Sequence, residues 1–122
     1  MAIGTDIIEI ERVDRLLKKY PNFRFRVFSA REISYCEQKK YPAQHYAARF
    51  AAKESIIKAL GNDDVDFIRF RDLEIINGPS GRPEVFLHGQ AKILTQRKGV
   101  KGIKVSLSHC KAYAVAVVQI NS

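Results

Sequence analysis

Two carboxylates stand where the apolar pattern of the chain calls for something else. Asp6 interrupts Ile3-Gly4-Thr5-Asp6-Ile7-Ile8-Glu9-Ile10, a β-branched run that reads as a strand with Ile8 and Ile10 on one face and Ile7 on the other. A lone charge is costly to bury there, so Asp6 either pairs with an Arg such as Arg12 or serves chemistry. Glu54 is the second. Within Phe50-Ala51-Ala52-Lys53-Glu54-Ser55-Ile56 it is flanked by apolar residues on both sides, the pattern of a helix buried round most of its circumference. Glu54 and Lys58 are also spaced i,i+4, which suits a surface ion pair. Two half-buried carboxylates from separate elements could hold one Mg²⁺, whose shell takes one or two carboxylates, several waters and substrate phosphate oxygens. Oxygen ligands suit Mn²⁺ equally.

Arg49, Lys53 and Lys58 share one helix, and Arg82 lies in a later turn; all four are available for phosphates, or simply solvated. Neither GxxxxGK[ST] nor GxGxxG is present, so phosphate would be held by side chains and helix ends. His109 follows Val105-Ser106-Leu107-Ser108 at a strand end, where a polar cluster meets solvent. No nucleophile elbow accompanies the serines. Cys36 and Cys110 lack C-x-x-C spacing, which excludes a metal knuckle or redox pair and leaves two free thiols.

The elements that must position these residues follow from periodicity and punctuation. Val13, Leu16 and Leu17 recur at helical spacing from Glu11 to Tyr20, until Pro21-Asn22 stops them. Phe23 to Phe28 alternates apolar and basic residues, which suits an edge strand or, as preferred here, a short helix. Ser29-Ala30-Arg31-Glu32 has the capping-box spacing and opens a helix to about Gln38. Pro42 opens the strongest helix, which carries both Arg49 and Glu54 and ends at Gly61. Its alanines suit a central helix packed on a sheet. Strands follow at Leu73–Ile76, Glu84–Leu87, Ile103–Leu107 and Tyr113–Ile120, with a helix at Gln90–Gln96 and a hairpin turn at Asn77–Pro83. The expected class is α+β, an antiparallel sheet on a long central helix. Ala112 to Val118 is apolar on both faces, so a helix or another subunit must cover its second face.

A chain of 122 residues is expected to form one domain, 1–122. With 46% hydrophobic and 28% charged residues it falls in the soluble globular class. Its start leads into charge and not into a signal-peptide core, and no apolar run is long enough to span a membrane; a cytoplasmic setting without a membrane partner is expected. The 21 Lys and Arg against 13 Asp and Glu leave +8, which favours an acidic partner. A basic nucleic-acid-binding module would explain that charge and the aromatic and basic run at 23–28, and an adaptor for acidic proteins would explain the charge alone. Neither explains Asp6 and Glu54.

Gly4-Thr5-Asp6 with Arg12, then Arg49-Phe50-Ala51-Ala52-Lys53-Glu54-Ser55 with Lys58, then Val105 to His109, together resemble the holo-[acyl-carrier-protein] synthases, the small bacterial class of 4′-phosphopantetheinyl transferases. The resemblance spans essentially the whole chain. It implies the 4′-phosphopantetheinyl transferase-like fold and transfer of the phosphopantetheine arm of coenzyme A to a serine of apo acyl carrier protein. Mg²⁺ would be required and adenosine 3′,5′-bisphosphate released, in fatty acid biosynthesis, with no nucleic acid involved. Asp6 and Glu54 match the metal ligands. Arg49, Lys53, Lys58, Gly61, Ser108 and His109 match the coenzyme A site, as does the turn Ser80-Gly81-Arg82-Pro83, in which Ser80 replaces the usual Asn. Arg12, Leu16, Lys19, Phe23 and Arg26 match the carrier-docking surface, where Asn22 replaces a basic residue whose charge is expected to have moved to Arg24. Glu54, Lys53 and His109 are the expected catalytic groups: Lys53 or Lys58 on the leaving phosphate, and a water held by the metal or by Glu54, ahead of His109, taking the serine proton. A homotrimer with its site between subunits is implied as well.

Overall fold

A computed structural model describes residues 1–61 and 65–122. The β-branched opening forms β1 (Ala2–Glu9), and the chain enters α1 (Ile10–Lys19) one residue sooner than the pattern suggests. The amide of Ile10 donates to Ala112 O at 2.9 Å, so Ile10 is buried as the first residue of the helix and not as the last of the strand. The alternating run after Pro21 folds as a short helix, α2 (Phe23–Val27). Ser29 caps α3 (Ala30–Glu37) reciprocally: its side chain accepts from the Glu32 amide, and its own amide donates to Glu32 Oε1 at 2.9 Å. Pro42 sits in the first turn of the 19-residue α4 (Pro42–Leu60). Two 3₁₀ turns, Val65–Phe67 and Phe70–Asp72, lead into β2 (Leu73–Asn77), β3 (Pro83–Leu87), α5 (Gly89–Arg97), β4 (Gly102–His109) and β5 (Tyr113–Asn121).

The strands form two antiparallel units, not one sheet. A three-stranded sheet runs β1-β5-β4, and β2-β3 is a separate hairpin. The hairpin's β3 lies beside β4 across a cleft of about 740 Å³ lined by Arg82, Val85, Lys104 and Ser106 among others. Helix α4 crosses one face of the three-stranded sheet, chiefly over β1 and β5, and touches α1, α3 and β2 on its other flanks. That position explains its composition. Ala47, Ala48, Ala51 and Ala52 are buried and let backbones approach, while Tyr46 and Ile56 fill the layer with Phe28, Leu73 and Ile75. Closest approach is at Gly4, where a Cβ would stand 2.1 Å from Ser55 O.

Period-two alternation sorts the sheet's faces. Ala114, Ala116, Val118 and Ile120 of β5 point at α4 and are buried. On the other face Ile3 and Ile7 are each 65% exposed, beside Tyr113 and Val117. No element of this chain covers that apolar surface among the described residues. None of its described helices is long and apolar enough to cross a membrane. Cys36 and Cys110 are both unpaired, and burial pushes the Cys36 thiol up to about 12.

Candidate functional site

Asp6 reaches the site because β1 alternates: it shares the helix-facing side with Gly4 and Ile8 and lies opposite Ala116. Lys58, one turn beyond Glu54 on α4, donates to Asp6 Oδ1 at 2.9 Å and to Thr5 O at 3.2 Å. Glu54 lies close enough to Asp6 for the two charges to interact. Burial first, then Asp6, pushes the Glu54 carboxyl above its ordinary range, while Lys58 and Arg12 pull it down. No hydrogen-bond donor meets the Glu54 carboxylate among the described residues. A half-buried carboxylate with no donor, set against a second carboxylate, is a pair that a dication would relieve.

A second cluster gathers at the other end of α4. His45, half-buried, has its ring 6.0 Å from that of His109 and 5.9 Å from that of Tyr35. The Arg49 guanidinium lies 4.2 Å over the Tyr35 ring. Burial, then Arg49, His109 and Lys39, pulls the His45 imidazole below its ordinary 6.5. Arg49 and Lys39 bring two fixed positive charges to this cluster, an arrangement that favours an anion. His45 and Lys58 are about 20 Å apart along α4 at ~1.5 Å per residue, and at ~100° per residue they point to roughly opposite sides. Within one chain the carboxylate pair and the His45–Arg49 cluster therefore face apart.

Several expected residues stand elsewhere. Lys53 does not line the cleft: it is fully buried, and its Nζ donates to Glu32 Oε1, Phe70 O and Leu73 O at 2.7–2.8 Å. All three N–H donors of an ammonium are thereby used, and burial pulls it below its ordinary range while Glu32 pulls it back up. Arg49 is 1% exposed and bonds to Ile75 O and Asn77 Oδ1, so it lies beneath the surface it was expected to form. Ser108 and His109 project from opposite faces of β4, because neighbours on a strand alternate. Arg24 does not stand in for the basic residue missing at Asn22: it turns inward, 3.6 Å from Glu37 and over the Tyr46 ring. Phe23 packs edge-on against Phe28 and beside Phe50, and Phe25 is the outward aromatic instead.

The remaining expected residues lie at or near the surface. Arg12 and Lys19 are exposed on α1 with Leu16 half-buried between them, and Arg26 lines a depression of about 440 Å³ with Tyr20 and Asn22. Ser80, Gly81 and Arg82 are exposed at the hairpin tip, and Gly61 at the end of α4. Unanticipated were His45, Tyr35 and Asn77. Only the i,i+4 spacing of His45 to Arg49 could have pointed to one of them.

Residues 2–118 match the family model of the 4′-phosphopantetheinyl transferase superfamily. The holo-[acyl-carrier-protein] synthase of Moorella thermoacetica is 46% identical over 122 residues, which is 100% of this chain and 94% of that protein. The chain belongs to the holo-[acyl-carrier-protein] synthases. It is accordingly a transferase of that class. Crystal structures of holo-[acyl-carrier-protein] synthases superpose throughout: that from Neisseria meningitidis at TM-score 0.88 and 31% identity, covering 99% of this chain and 98% of that one. The enzyme from Helicobacter pylori, in complex with coenzyme A, gives TM-score 0.84 at 30% identity, covering 98% and 99%. In this holo-[acyl-carrier-protein] synthase the carboxylate pair thus sits at the β1 edge of the sheet and the His45–Arg49 cluster near the end of β4.

Proposed function

We propose that this chain, acting as one domain over 1–122, transfers the 4′-phosphopantetheine arm of coenzyme A to a serine hydroxyl of apo acyl carrier protein, in the cytoplasm and for fatty acid biosynthesis. The observation that carries the reading is the Asp6–Glu54 pair, two mutually repelling carboxylates from β1 and α4, one of which meets no donor among the described residues. Their all-oxygen donor set fits Mg²⁺, which uses few protein carboxylates and leaves room for phosphate oxygens. When bound, that ion would supply Lewis-acid polarisation of the pyrophosphate.

The remaining chemistry belongs to the side chains. The carrier serine Oγ attacks the β-phosphorus, a new O–P bond forms, and the bond to the bridging oxygen breaks to release adenosine 3′,5′-bisphosphate. With Lys53 sealed in the core, Lys58 is the lysine that offsets charge on the leaving phosphate. Glu54 holds the water that takes the serine proton, a role His109 of the same chain is poorly placed for across α4. Most of the rate gain comes from positioning and fixed charge.

The Lys39 and Arg49 charges, with the imidazoles of His45 and His109 between them as hydrogen-bonding groups, suit the remaining phosphate of coenzyme A, and the exposed turn Ser80-Gly81-Arg82-Pro83 suits its nucleoside. Because the two clusters face apart within a chain, adjoining copies complete each cleft, and the bare apolar face with Ile3 and Ile7 supports a homotrimer. Exposed Arg12, which acts on Glu54, and exposed Lys19 and Arg26 farther along offer basic groups for an acidic carrier. With coenzyme A, Mg²⁺ and an apo carrier, the chain should release one adenosine 3′,5′-bisphosphate per carrier modified. Chromatography showing no nucleotide release with several apo carriers would contradict the proposal.

A further inference from the structure

We propose that Asn77 is a positioning residue for coenzyme A, tying buried Arg49 to the turn Ser80-Gly81-Arg82-Pro83 and so fixing the shape that this turn presents to the nucleotide. The inference rests on the placement of coenzyme A at that turn under the function proposed above.

Arg49 provides the fixed end. Its guanidinium is stacked on Tyr35, and Nε donates to Ile75 O at 3.1 Å and Nη1 to His45 O at 3.4 Å. A planar fork held at several donors has little freedom left. Nη2 then donates to Asn77 Oδ1 at 2.6 Å, a short charge-assisted bond. On its other side Asn77 Nδ2 donates to Gly81 O at 2.9 Å. The two bonds agree on the orientation of the amide. Reversed, it would set an NH₂ against the guanidinium and an oxygen against the Gly81 carbonyl.

The turn depends on this tether. Asn77 faces Pro83 at the last pair of the hairpin, beyond which the amide of Gly78 donates to Arg82 O at 2.8 Å and that of Gly81 to Gly78 O at 2.9 Å. Gly81 adopts φ +84°, a left-handed conformation that a side chain would strain. Among the described residues, Asn77 is the one side chain hydrogen-bonded to Ser80, Gly81, Arg82 or Pro83. Without it the exposed tip keeps its backbone bonds but loses its link to α4. More tip conformations become accessible, and coenzyme A must order them on binding.

Three variants test the relay by calorimetric coenzyme A binding and by steady-state kinetics. Asn77→Ala should weaken coenzyme A binding and raise its KM about 5- to 10-fold, the size of one or two net hydrogen bonds, with kcat and the carrier KM within about twofold of wild type. A general loss of fold would move all of these together. Asn77→Asp keeps an acceptor for Arg49 but cannot donate to Gly81, and should match Asn77→Ala. Gly81→Ala strains the turn from within, so it should weaken binding too, and its combination with Asn77→Ala should cost less than the two effects added. Wild-type protein that binds coenzyme A, with both Asn77 variants binding as tightly, would overturn the relay alone, as would a fall in kcat at unchanged coenzyme A affinity. Wild-type protein that binds no coenzyme A would remove the functional reading and the relay with it.

Discussion

Lys53 and Lys58 lie five positions apart on α4 and have opposite fates. Lys58 is exposed beside Asp6, whereas Lys53 is sealed against Glu32 and two carbonyls. Lys53→Met should therefore cost stability, about 3–5 kcal/mol as is usual when one partner of a buried pair is removed. Lys58→Ala should leave the denaturant midpoint almost unchanged and lower kcat; chemical unfolding and transfer kinetics of the two variants separate the roles. His45 provides a pH signature. Its imidazole titrates below 6.5 in the fold and near 6.5 when unfolded, so between those values the unfolded chain binds the extra proton and stability rises with pH. Lowering the pH from about 6.5 to 5 should reduce the urea midpoint of wild type more than that of His45→Phe, and equal slopes would contradict the burial argument. Asp6 and Glu54 were legible because each breaks an apolar pattern. Lys53 breaks the same pattern but was misplaced, since sequence spacing does not reveal that Glu32 waits 21 residues upstream to pair with it.

At the scale of elements, contact between α4 and β1 sets the distance between Glu54 and Asp6. Gly4 permits that contact. Gly4→Ala should destabilise the fold by about 1–3 kcal/mol, the range for overpacking, and should weaken transfer activity by more than the stability loss explains, because β1 must retreat from Ser55. Thermal melts paired with activity below the melting range would show it; a variant as active and as stable as wild type would contradict it. The helices were legible from local chemistry: the Ser29–Glu32 box, Pro42 at the start of α4 and the Pro21-Asn22 stop act within a few residues. Division of the strands into a sheet and a separate hairpin was not. Alternation assigns the faces of β3 and β4 but carries no information about which edge hydrogen-bonds to which. Ile10 went to the strand for the same reason, its partner Ala112 lying at the far end of the chain.

For the whole molecule, the open face of the β1-β5-β4 sheet is the feature most in need of a partner. Ile3, Ile7, Val117 and Tyr113 put four large exposed apolar side chains on one face of the sheet, more than a lone solvated face calls for. The sequence showed this in the doubly apolar run Ala112 to Val118, where α4 accounts for one face and leaves the other bare. If adjoining copies cover it and join the two clusters, Ile7→Asp should both dissociate the assembly in size-exclusion chromatography with light scattering and abolish transfer. A dissociated yet fully active variant would place a complete site within one chain.

The most direct measurement is the intact mass of an apo acyl carrier protein after incubation with this chain, coenzyme A and Mg²⁺, beside Asp6→Ala and Glu54→Ala proteins shown to be folded. The predicted result is a mass gain of one phosphopantetheine with wild type, absent with either variant and absent with chelator. A gain that persists in both variants would contradict the assignment of Asp6 and Glu54, and no gain with wild type would contradict the proposed reaction itself.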